Sequence, residues 1–377
     1  MSNVITDRIT HELSELKSQN LLRTLDKVVD PTLINCSANS YLNLQNSPEI
    51  DEKAKALCAT LSGNGASRLV QEVSPLFEQL ESQIAQWKGT EKALLFNSGY
   101  IANVSIIQAL ATPTTTIFCD RLNHASIIDG IRLSRAKLKR YNHCDIHHLH
   151  KLLEEDTSQE KIVITDTVFS MDGTVAPLEK IADLCDHYDA LLMVDEAHRT
   201  GVFGEKGSGI VEAFGLEHRV ALRMGTLSKA ISGVGGFVAC SQLFYDFLSN
   251  KSRGLIYSTA LPPSTLAWNS AAIEYVTSHK NIGLSLLKKA AIFKELLEAQ
   301  GIDTGNSRSQ IIPIIVGSAE RALDLSAYLK AKGYSAPAIR PPTVSSGSSR
   351  VRVSLHLGIS DEQITDLAQI IIEWHNG

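Results

Sequence analysis

Short apolar runs alternate with helix-like stretches through most of the chain. Runs of this kind, each followed at once by polar residues, lie at 93–96, 116–119, 161–164 and 190–194. Short, continuous apolar strands separated by helices are typical of βαβ units, in which a mostly parallel sheet is covered on both faces. The pattern therefore predicts an α/β protein whose polar strand ends lie in the crevice where such sheets bind ligands.

The pattern changes after the Leu-Pro-Pro sequence at 261–263. We expect one long helical region over 265–300, strands at 311–316 and 351–355 with a helix between them, and a last helix, Asp361 to Trp374, with Ser360 as its N-cap. The predicted organisation is an N-terminal helical segment (1–41), a large domain (42–270) and a smaller C-terminal α/β domain (271–377).

The composition is that of an ordinary soluble globular protein. Of the 377 residues, 44% are hydrophobic and 20% charged, and the net charge of −5 argues against nucleic acid or an anionic membrane as the main partner. Residues 1–20 form a polar helical pattern without the apolar core of a signal peptide, and no stretch approaches the length of a membrane span. The six cysteines are dispersed without CxxC spacing, which favours free thiols in the cytoplasm.

The sequence Gly225-Thr226-Leu227-Ser228-Lys229 places a lysine after an apolar run and before the glycine-rich turn 233–236. A surface lysine needs no such setting, whereas a lysine that forms an imine must be partly desolvated to lower its pKa. Glycines also let a flat cofactor approach the backbone closely. By itself, the motif leaves a structural or phosphate-binding lysine equally open.

Other polar positions also follow predicted strands. Ser98-Gly99-Tyr100 opens a helix, where backbone N–H groups can bind a phosphate. Asp195 ends an apolar strand shortly before His198, while Ser170 and His124 each lie in a loop after a strand. A helix cap is the alternative role for Asp195, and a hydrogen-bonded loop histidine is the alternative for His198.

Nucleotide-binding loops and a metal site are poorly supported. Both segments that begin a GxGxxG motif lack its last glycine, and Ile210 stands where a P-loop requires lysine. The histidine-rich stretch 142–150 includes His143 and His147 at helical spacing, but a surface helix capped by Asp145 accounts for it better than a metal.

Together, the surviving positions supply the parts of a pyridoxal phosphate site. Such a site needs an imine lysine, a carboxylate for the pyridinium nitrogen, donors to the phenolic oxygen, an aromatic ring over the cofactor and a phosphate cup. Each part has a candidate at the end of a separate predicted strand. The sequence therefore favours a pyridoxal phosphate enzyme.

Motifs along nearly the whole chain resemble those of the pyridoxal-phosphate α-oxoamine synthases, within the fold-type-I aminotransferase-like superfamily. The matching segments are 38–42, 98–103, 120–126, 169–173, 194–198, 225–229 and 338–344. The resemblance implies a large, mostly parallel domain with a sheet of the seven-stranded type and a smaller C-terminal domain. It also implies a homodimer with shared active sites.

The resemblance assigns the chemistry to a few residues. Lys229 would carry the cofactor and remove the Cα proton of the amino acid, and Asp195 would keep the pyridinium nitrogen protonated. His198 and Ser170 would contact the phenolic oxygen, and His124 would stack on the ring.

The resemblance also implies binding residues. Those for the cofactor and its phosphate are Ser98, Gly99, Tyr100 and Thr226, with Ser258 and Thr259 reaching the phosphate of the neighbouring subunit. Those for the substrate are Arg352, which would bind the amino-acid carboxylate, Arg23 and Thr343.

Within the family, the motifs most resemble the 8-amino-7-oxononanoate synthases. This implies a decarboxylative condensation of L-alanine with a pimeloyl thioester, on coenzyme A or a carrier, in biotin biosynthesis. Another α-oxoamine synthase with a different amino acid or acyl group, a non-catalytic partner subunit and an aminotransferase are the alternatives.

The chain departs from the family pattern at a few positions. Gln71, Glu72 and Phe77 replace a common Ser-Gly pair and a histidine, and Arg199 replaces a common glycine. These changes leave the lysine chemistry intact and bear on the acyl thioester. Asn43 also replaces a common glycine, and asparagine tolerates the positive φ that glycine would supply.

Overall fold

The computed structural model describes residues 3–22, 30–58, 65–72 and 74–377. In these residues the strands are, in chain order, β1 Ile34–Asn35, β2 Lys92–Phe96, β3 Thr116–Asp120, β4 Lys137–Tyr141, β5 Lys161–Asp166, β6 Leu191–Asp195, β7 Leu222–Thr226, β8 Gly236–Cys240, β9 Ile311–Gly317, β10 Tyr334–Ser335, β11 Ala338–Ile339 and β12 Ser349–Ser354.

The helices in the same ranges are α1 Val4–Ser18, α2 Pro48–Cys58, α3 Leu76–Lys88, α4 Gly99–Leu110, α5 Ala125–Ser134, α6 Ile146–Glu154, α7 Leu178–His187, α8 Ile210–Ala213, α9 Gln242–Lys251, α10 Arg253–Ile256, α11 Pro263–Ser278, α12 Ile282–Glu298, α13 Ala319–Ala331 and α14 Asp361–Asn376. A short 3-10 helix spans Leu44–Asn46.

Seven strands form the main sheet, in the order β2-β8-β7-β6-β5-β3-β4. Strand β8 runs antiparallel to both of its neighbours, and the remaining pairs are parallel. This confirms the predicted α/β class and the mostly parallel sheet. In register, Asp166 at the end of β5 lies opposite Asp195 at the end of β6, so two carboxylates meet at the carboxyl edge of the sheet.

Both faces of the main sheet are buried, which explains the unbroken apolar runs. Along β3, Ile117 and Cys119 pack into one hydrophobic cluster with residues of α4 and α5. Phe118, which points to the opposite face, packs into a second cluster with residues of α6 and α7. Because apolar side chains occupy both faces, polar functional groups are placed at the strand ends.

The C-terminal part of the chain has a small antiparallel sheet of its own, in the order β11-β12-β9. Strand β1 pairs in parallel with β10, so residues 34–35 add to this part of the molecule. The domain boundaries given above (1–41, 42–270 and 271–377) remain a prediction.

The helical region expected over 265–300 is confirmed, and it consists of two helices, α11 and α12. Asn281 between them has φ +62°, a left-handed conformation that interrupts helical geometry. The last helix is confirmed, since the side chains of Ser360 and Gln363 form a capping box at the start of α14. Asn43 has φ +56°, as its replacement of a glycine suggests.

The polar N-terminal helix is also confirmed. Helix α1 is capped by Asn3, and its apolar side chains, including Ile5 and Leu13, are exposed. Across the described ranges, no helix is long and apolar enough to cross a membrane.

A buried ion pair lies directly behind the end of β6. The ammonium of Lys88 lies 3.0 Å from Glu196 Oε2, and both side chains are 1% exposed. Glu196 Oε1 accepts hydrogen bonds from the N–H groups of Ile210 and Val211 at the start of α8. Glu196 follows Asp195 in the chain, so this pair fixes the segment that leaves the carboxyl edge.

Replacing Lys88 by methionine is expected to lower the free energy of unfolding by about 3–5 kcal/mol, because Glu196 would stay buried without its cation. The matched control is Lys53→Met, which breaks the exposed pair with Glu274 and is expected to cost about 0–1 kcal/mol. Urea unfolding followed by circular dichroism measures both. Equal, small losses in the two variants would contradict a structural role for the buried pair.

Candidate functional site

A cavity of about 210 Å³ opens at the carboxyl edge of the main sheet. Nine of the residues predicted from the sequence line it: Ser98, Gly99, Tyr100, His124, Ser170, Asp195, His198, Thr226 and Lys229. They come from the ends of several strands and from the loops that follow, as the alternation of apolar runs and polar ends predicts.

Lys229 lies three residues beyond the end of β7, with its amine in the cavity. Its Nζ atom is 2.8 Å from His198 Nε2. Burial lowers the pKa of Lys229 to about 8, against the opposing effect of the carboxylates of Asp195 and Asp166. A buried amine with a lowered pKa is available as a nucleophile and a base near neutral pH.

Asp195 is buried at the end of β6 and each of its oxygens has a partner. Oδ1 accepts from the N–H of Ala197, and Oδ2 accepts from the side-chain amide of Asn103, both at 2.8 Å. The first contact shows that Asp195 stabilises the next turn, which was the alternative to a functional role. The carboxylate nevertheless faces the cavity opposite the amine, so the two roles coexist.

His124 is held from two sides. Its backbone N–H donates to Asp166 Oδ2 at 2.8 Å, and its ring Nδ1 lies 2.7 Å from Ser126 Oγ at the start of α5. The pKa of His124 is lowered chiefly by burial, so the ring is neutral and can lie against an aromatic ligand. Burial, with Lys229 and Arg352 nearby, places the pKa of His198 well below its usual value.

The first turn of α4 forms a close backbone cradle. Ser98 caps the helix by accepting from the N–H of Ile101 at 3.2 Å. A Cβ added to Gly99 would lie 3.3 Å from the Thr226 side chain, and one added to Gly236 would lie 2.6 Å from the backbone of Ser98. At Gly236 only glycine allows this approach, at Gly99 a larger residue would be tight, and the N-terminus of a helix attracts phosphate. Thr226 Oγ1 lies 2.8 Å from Ser228 Oγ beside the cradle.

Arg352 enters from strand β12 of the small sheet and is buried beside the cavity. Its Nη2 donates to Asn39 Oδ1 at 2.6 Å, and its Nη1 donates to the carbonyl of Ser170 at 3.3 Å. Its Nε atom has no hydrogen-bond partner among the described residues. A buried guanidinium with a spare donor is suited to a carboxylate ligand.

The remaining predicted residues do not line this cavity. The carbonyl of Thr259, next to Ser258, accepts from the side chain of Asn97 at 2.8 Å, which places this segment beside the phosphate cradle. Thr343 is exposed, with its N–H bonded to the Arg340 carbonyl. Arg23 lies outside the described residues.

Five lining residues were not among the predicted site residues, and Asp166 and Asn103 are two of them. Asp166 ends β5 in the same way as Asp195 ends β6. Its position directly after an apolar run was therefore the sequence signal that could have identified it as a site residue. Burial and the Asp195 charge raise its pKa well above the usual value. Asn103 is a fully buried polar residue within α4, and only its contacts with Asp195 and Ser126 reveal its role.

The histidine-rich stretch forms the helix predicted for it, since α6 begins after Asp145, whose side chain caps it. His143 instead approaches Asp120 and Cys144, and these three residues bring potential metal ligands within 4.8 Å of one another. Both ring nitrogens of His143 are already hydrogen-bonded, to Asp120 and Thr174. The hydrogen bonds of this cluster therefore link the loop after β4 to the segment before α7.

The departures from the family pattern lie elsewhere. Phe77 is buried under the guanidinium of Arg68, whose carbon lies 4.4 Å from the ring centre. Both residues line a second cavity of about 570 Å³, which does not include the residues around Lys229. Arg199 is buried with its guanidinium 3.4 Å from the centre of the Phe203 ring.

The residues of the first cavity fit pyridoxal phosphate. An amine of lowered pKa and a buried carboxylate line the same cavity, His198 contacts the amine, His124 also lines the cavity, and a glycine-lined helix N-terminus is available for the phosphate. A family model described as aminotransferase class I and II matches residues 31–371. The chain belongs to that family.

Individual relatives agree with this assignment. The 8-amino-7-oxononanoate synthase of Citrifermentans bemidjiense is 43% identical over 374 residues, covering 96% of each chain. A serine palmitoyltransferase from Sphingomonas wittichii has a similar structure, with a TM-score of 0.92 and 28% identity over 100% of this chain and 98% of that one. The structure of the 8-amino-7-oxononanoate synthase of Francisella tularensis gives a TM-score of 0.79 at 28% identity, covering 92% of this chain and 99% of that one. The fold-type-I prediction is confirmed, with pyridoxal phosphate as the cofactor.

The lowered pKa of Lys229 predicts how fast the protein takes up pyridoxal phosphate. Only the neutral amine attacks the cofactor aldehyde, so the rate should rise with pH and level off above about 8. Stopped-flow absorbance with protein freed of cofactor measures this, and Lys229→Ala is the blank. A rate that continues to rise to about pH 10, as for an ordinary lysine, would contradict the buried, lowered-pKa amine.

Proposed function

We propose that the protein is an 8-amino-7-oxononanoate synthase. It condenses L-alanine with a pimeloyl thioester and releases carbon dioxide and the free thiol, a step of biotin biosynthesis. The observation that carries the proposal is 43% identity, over 96% of both chains, to a synthase of that name. The cavity at Lys229 supplies the groups that this chemistry requires.

Bound pyridoxal phosphate supplies an electron sink for the electron pair that remains at Cα when a proton is removed. The protein must accept that Cα proton, and it must keep the pyridine nitrogen of the cofactor protonated. Lys229, with its pKa near 8, is the base that takes the Cα proton. Asp195, fixed by Asn103 and Ala197, is the carboxylate that keeps the pyridinium nitrogen charged.

Arg352 binds the amino-acid carboxylate. Its guanidinium is held in place by Asn39 and by the Ser170 carbonyl, and its position beside the cavity leaves Nε unused. Two parallel hydrogen bonds to a carboxylate orient the substrate as well as bind it. His124, His198 and Ser170 line the same cavity, where His124 would stack on the cofactor ring and His198 and Ser170 would contact its phenolic oxygen.

The overall reaction balances as follows. A bond forms between Cα of alanine and the thioester carbonyl carbon, and the carbon–sulfur bond breaks, so that the thiolate leaves and takes up a proton. The bond from Cα to the carboxylate carbon then breaks, carbon dioxide departs and Cα is reprotonated. Because the carboxylate is lost only after condensation, the site must hold it through the first step, which is the task of Arg352.

The acyl donor and the assembly also belong to the proposal. The chain departs from its family at Phe77, outside the cavity around Lys229, and at Arg199, next to His198, and we assign the selection of the acyl thioester to these departures. In a homodimer, Ser258 and Thr259 would reach the phosphate of the neighbouring subunit, and Arg23 and Thr343 would contribute to substrate binding. The six free cysteines are in keeping with a cytoplasmic enzyme.

A substrate matrix tests the proposal. L-alanine, glycine and L-serine are each combined with pimeloyl-, acetyl- and palmitoyl-coenzyme A, and carbon dioxide and free thiol are followed together. We expect turnover to be highest for L-alanine with pimeloyl-coenzyme A and to be absent in Lys229→Ala. Turnover with glycine and acetyl-coenzyme A alone would identify a different α-oxoamine synthase, and a keto acid with pyridoxamine phosphate would identify an aminotransferase.

Within the same substrate matrix, Arg352→Lys tests the proposed role of Arg352 in binding the amino-acid carboxylate. Loss of bidentate binding is expected to raise the KM for L-alanine by about tenfold or more, with a smaller effect on the acyl thioester. Arg219→Lys changes an arginine that pairs at the surface with Asp183 and Asp186 and should leave both KM values unchanged.

A further inference from the structure

A continuous line of hydrogen bonds joins Arg352 to Lys229. Arg352 Nη2 lies 2.6 Å from Asn39 Oδ1, and the Tyr41 hydroxyl lies 3.0 Å from the same oxygen. That hydroxyl is also 2.6 Å from His198 Nδ1, and His198 Nε2 is 2.8 Å from Lys229 Nζ. Tyr41 is 0% exposed, so its hydroxyl has these partners, together with the side chain of Gln310, in place of solvent.

The guanidinium fixes the direction of every bond in this line. A guanidinium can only donate, so the Asn39 atom that faces it is the amide oxygen, which can only accept. The Tyr41 hydroxyl faces the same oxygen and must give it its single proton. The hydroxyl oxygen is then the acceptor for His198.

The imidazole of His198 is neutral and has one N–H group. Burial lowers its pKa well below the usual value, and the charges of Lys229 and Arg352 add to this effect. Since Nδ1 faces the hydroxyl oxygen of Tyr41, the proton is on Nδ1. Nε2 is then an acceptor directed at the lysine.

We propose that Tyr41 is a positioning residue of the site, whose buried hydroxyl holds His198 in the tautomer with its proton on Nδ1 and leaves Nε2 to accept from Lys229. Tyr41 acts through His198 and does not contact the lysine. The line begins at the guanidinium that we propose to bind the amino-acid carboxylate, and this inference rests on the proposed function for that one role. Arg352 would therefore orient the substrate carboxylate and, through this line, the ring proton of His198 next to Lys229.

Tyr41 can be altered without changing any charge around the lysine. The carboxylates of Asp195 and Asp166 raise the pKa of Lys229, while burial and Arg352 lower it. His124 is the other titratable group that acts on His198. Removing the hydroxyl leaves all of these groups in place, so a changed lysine reports the hydrogen-bonded line itself.

The first test is the tautomer of His198, read by nitrogen NMR of the full chain with ¹⁵N-labelled histidine and no added ligand. His198→Gln assigns the signal. We expect the proton on Nδ1 in the unaltered protein, and mainly on Nε2 in Tyr41→Phe. The control Tyr334→Phe removes another buried hydroxyl, which bonds to the Gln363 carbonyl and to Asp366, and should leave the His198 signal unchanged.

The second test is the amine itself, with pyridoxal, which lacks the phosphate, as the probe. The rate at which Lys229 binds it is followed against pH by visible absorbance. In Tyr41→Phe the Nε2–H group of His198 would point at the Lys229 ammonium and destabilise it. The inflection of the plot of rate against pH should therefore fall by about half to one pH unit. Lys229→Ala again supplies the blank.

A second variant, Asn39→Leu, tests the proposal independently if Tyr41→Phe does not fold. Asn39→Leu removes the oxygen at a half-buried position, so the Tyr41 hydroxyl would donate to His198 Nδ1 and move the ring proton to Nε2. A proton on Nε2 in the unaltered protein would overturn the proposal. So would an unchanged tautomer and inflection in both variants. Neither result would affect turnover in the substrate matrix, so the two proposals fail separately.

Discussion

The site depends on the burial of one sheet on both of its faces. Most strands of the main sheet pack alternate side chains into opposite hydrophobic clusters, so a polar group within such a strand would lose its hydration on either side. Polar residues are therefore placed where the strands end. In a parallel sheet those ends share one edge, and Asp166, Asp195 and Lys229 meet there although the chain separates them.

The charges that meet at this edge control one another. Burial alone would strongly disfavour both the lysine ammonium and a pair of carboxylates. The ammonium stays accessible near pH 8 because Asp195 and Asp166 oppose the effect of burial. Burial and the nearby charge of Asp195 raise the pKa of Asp166 well above its usual value. The result is a base with a pKa near 8 beside a carboxylate that Asn103 and Ala197 hold in place for the cofactor.

The main sheet and the centre of the site could be predicted from the sequence because their signals are local. An apolar run followed by Asp195, or a lysine before a glycine turn, is visible without any tertiary contact. Asp166 had the same signal and was missed only because several strands end in acids. The break at Asn281 was hidden because asparagine is compatible with a helix as well as with a left-handed turn.

Other parts depend on contacts that no local pattern contains. Asn103 is one polar residue in an apolar helix, and its bond to Asp195 spans 92 positions. The line from Arg352 to Lys229 joins four separate segments, and its direction follows only from the guanidinium at its far end. Phe77 and Arg199 were recognised as departures, but only the structure places Phe77 in a different cavity.

The central claim is that one buried lysine at the carboxyl edge bonds the cofactor. Borohydride reduction of the protein loaded with pyridoxal phosphate, followed by peptide mass spectrometry, tests it most directly. The account predicts a single reduced cofactor per chain, on the peptide that contains Lys229, and none in Lys229→Ala. A stable label on a different lysine, or an undiminished label in that variant, would contradict it.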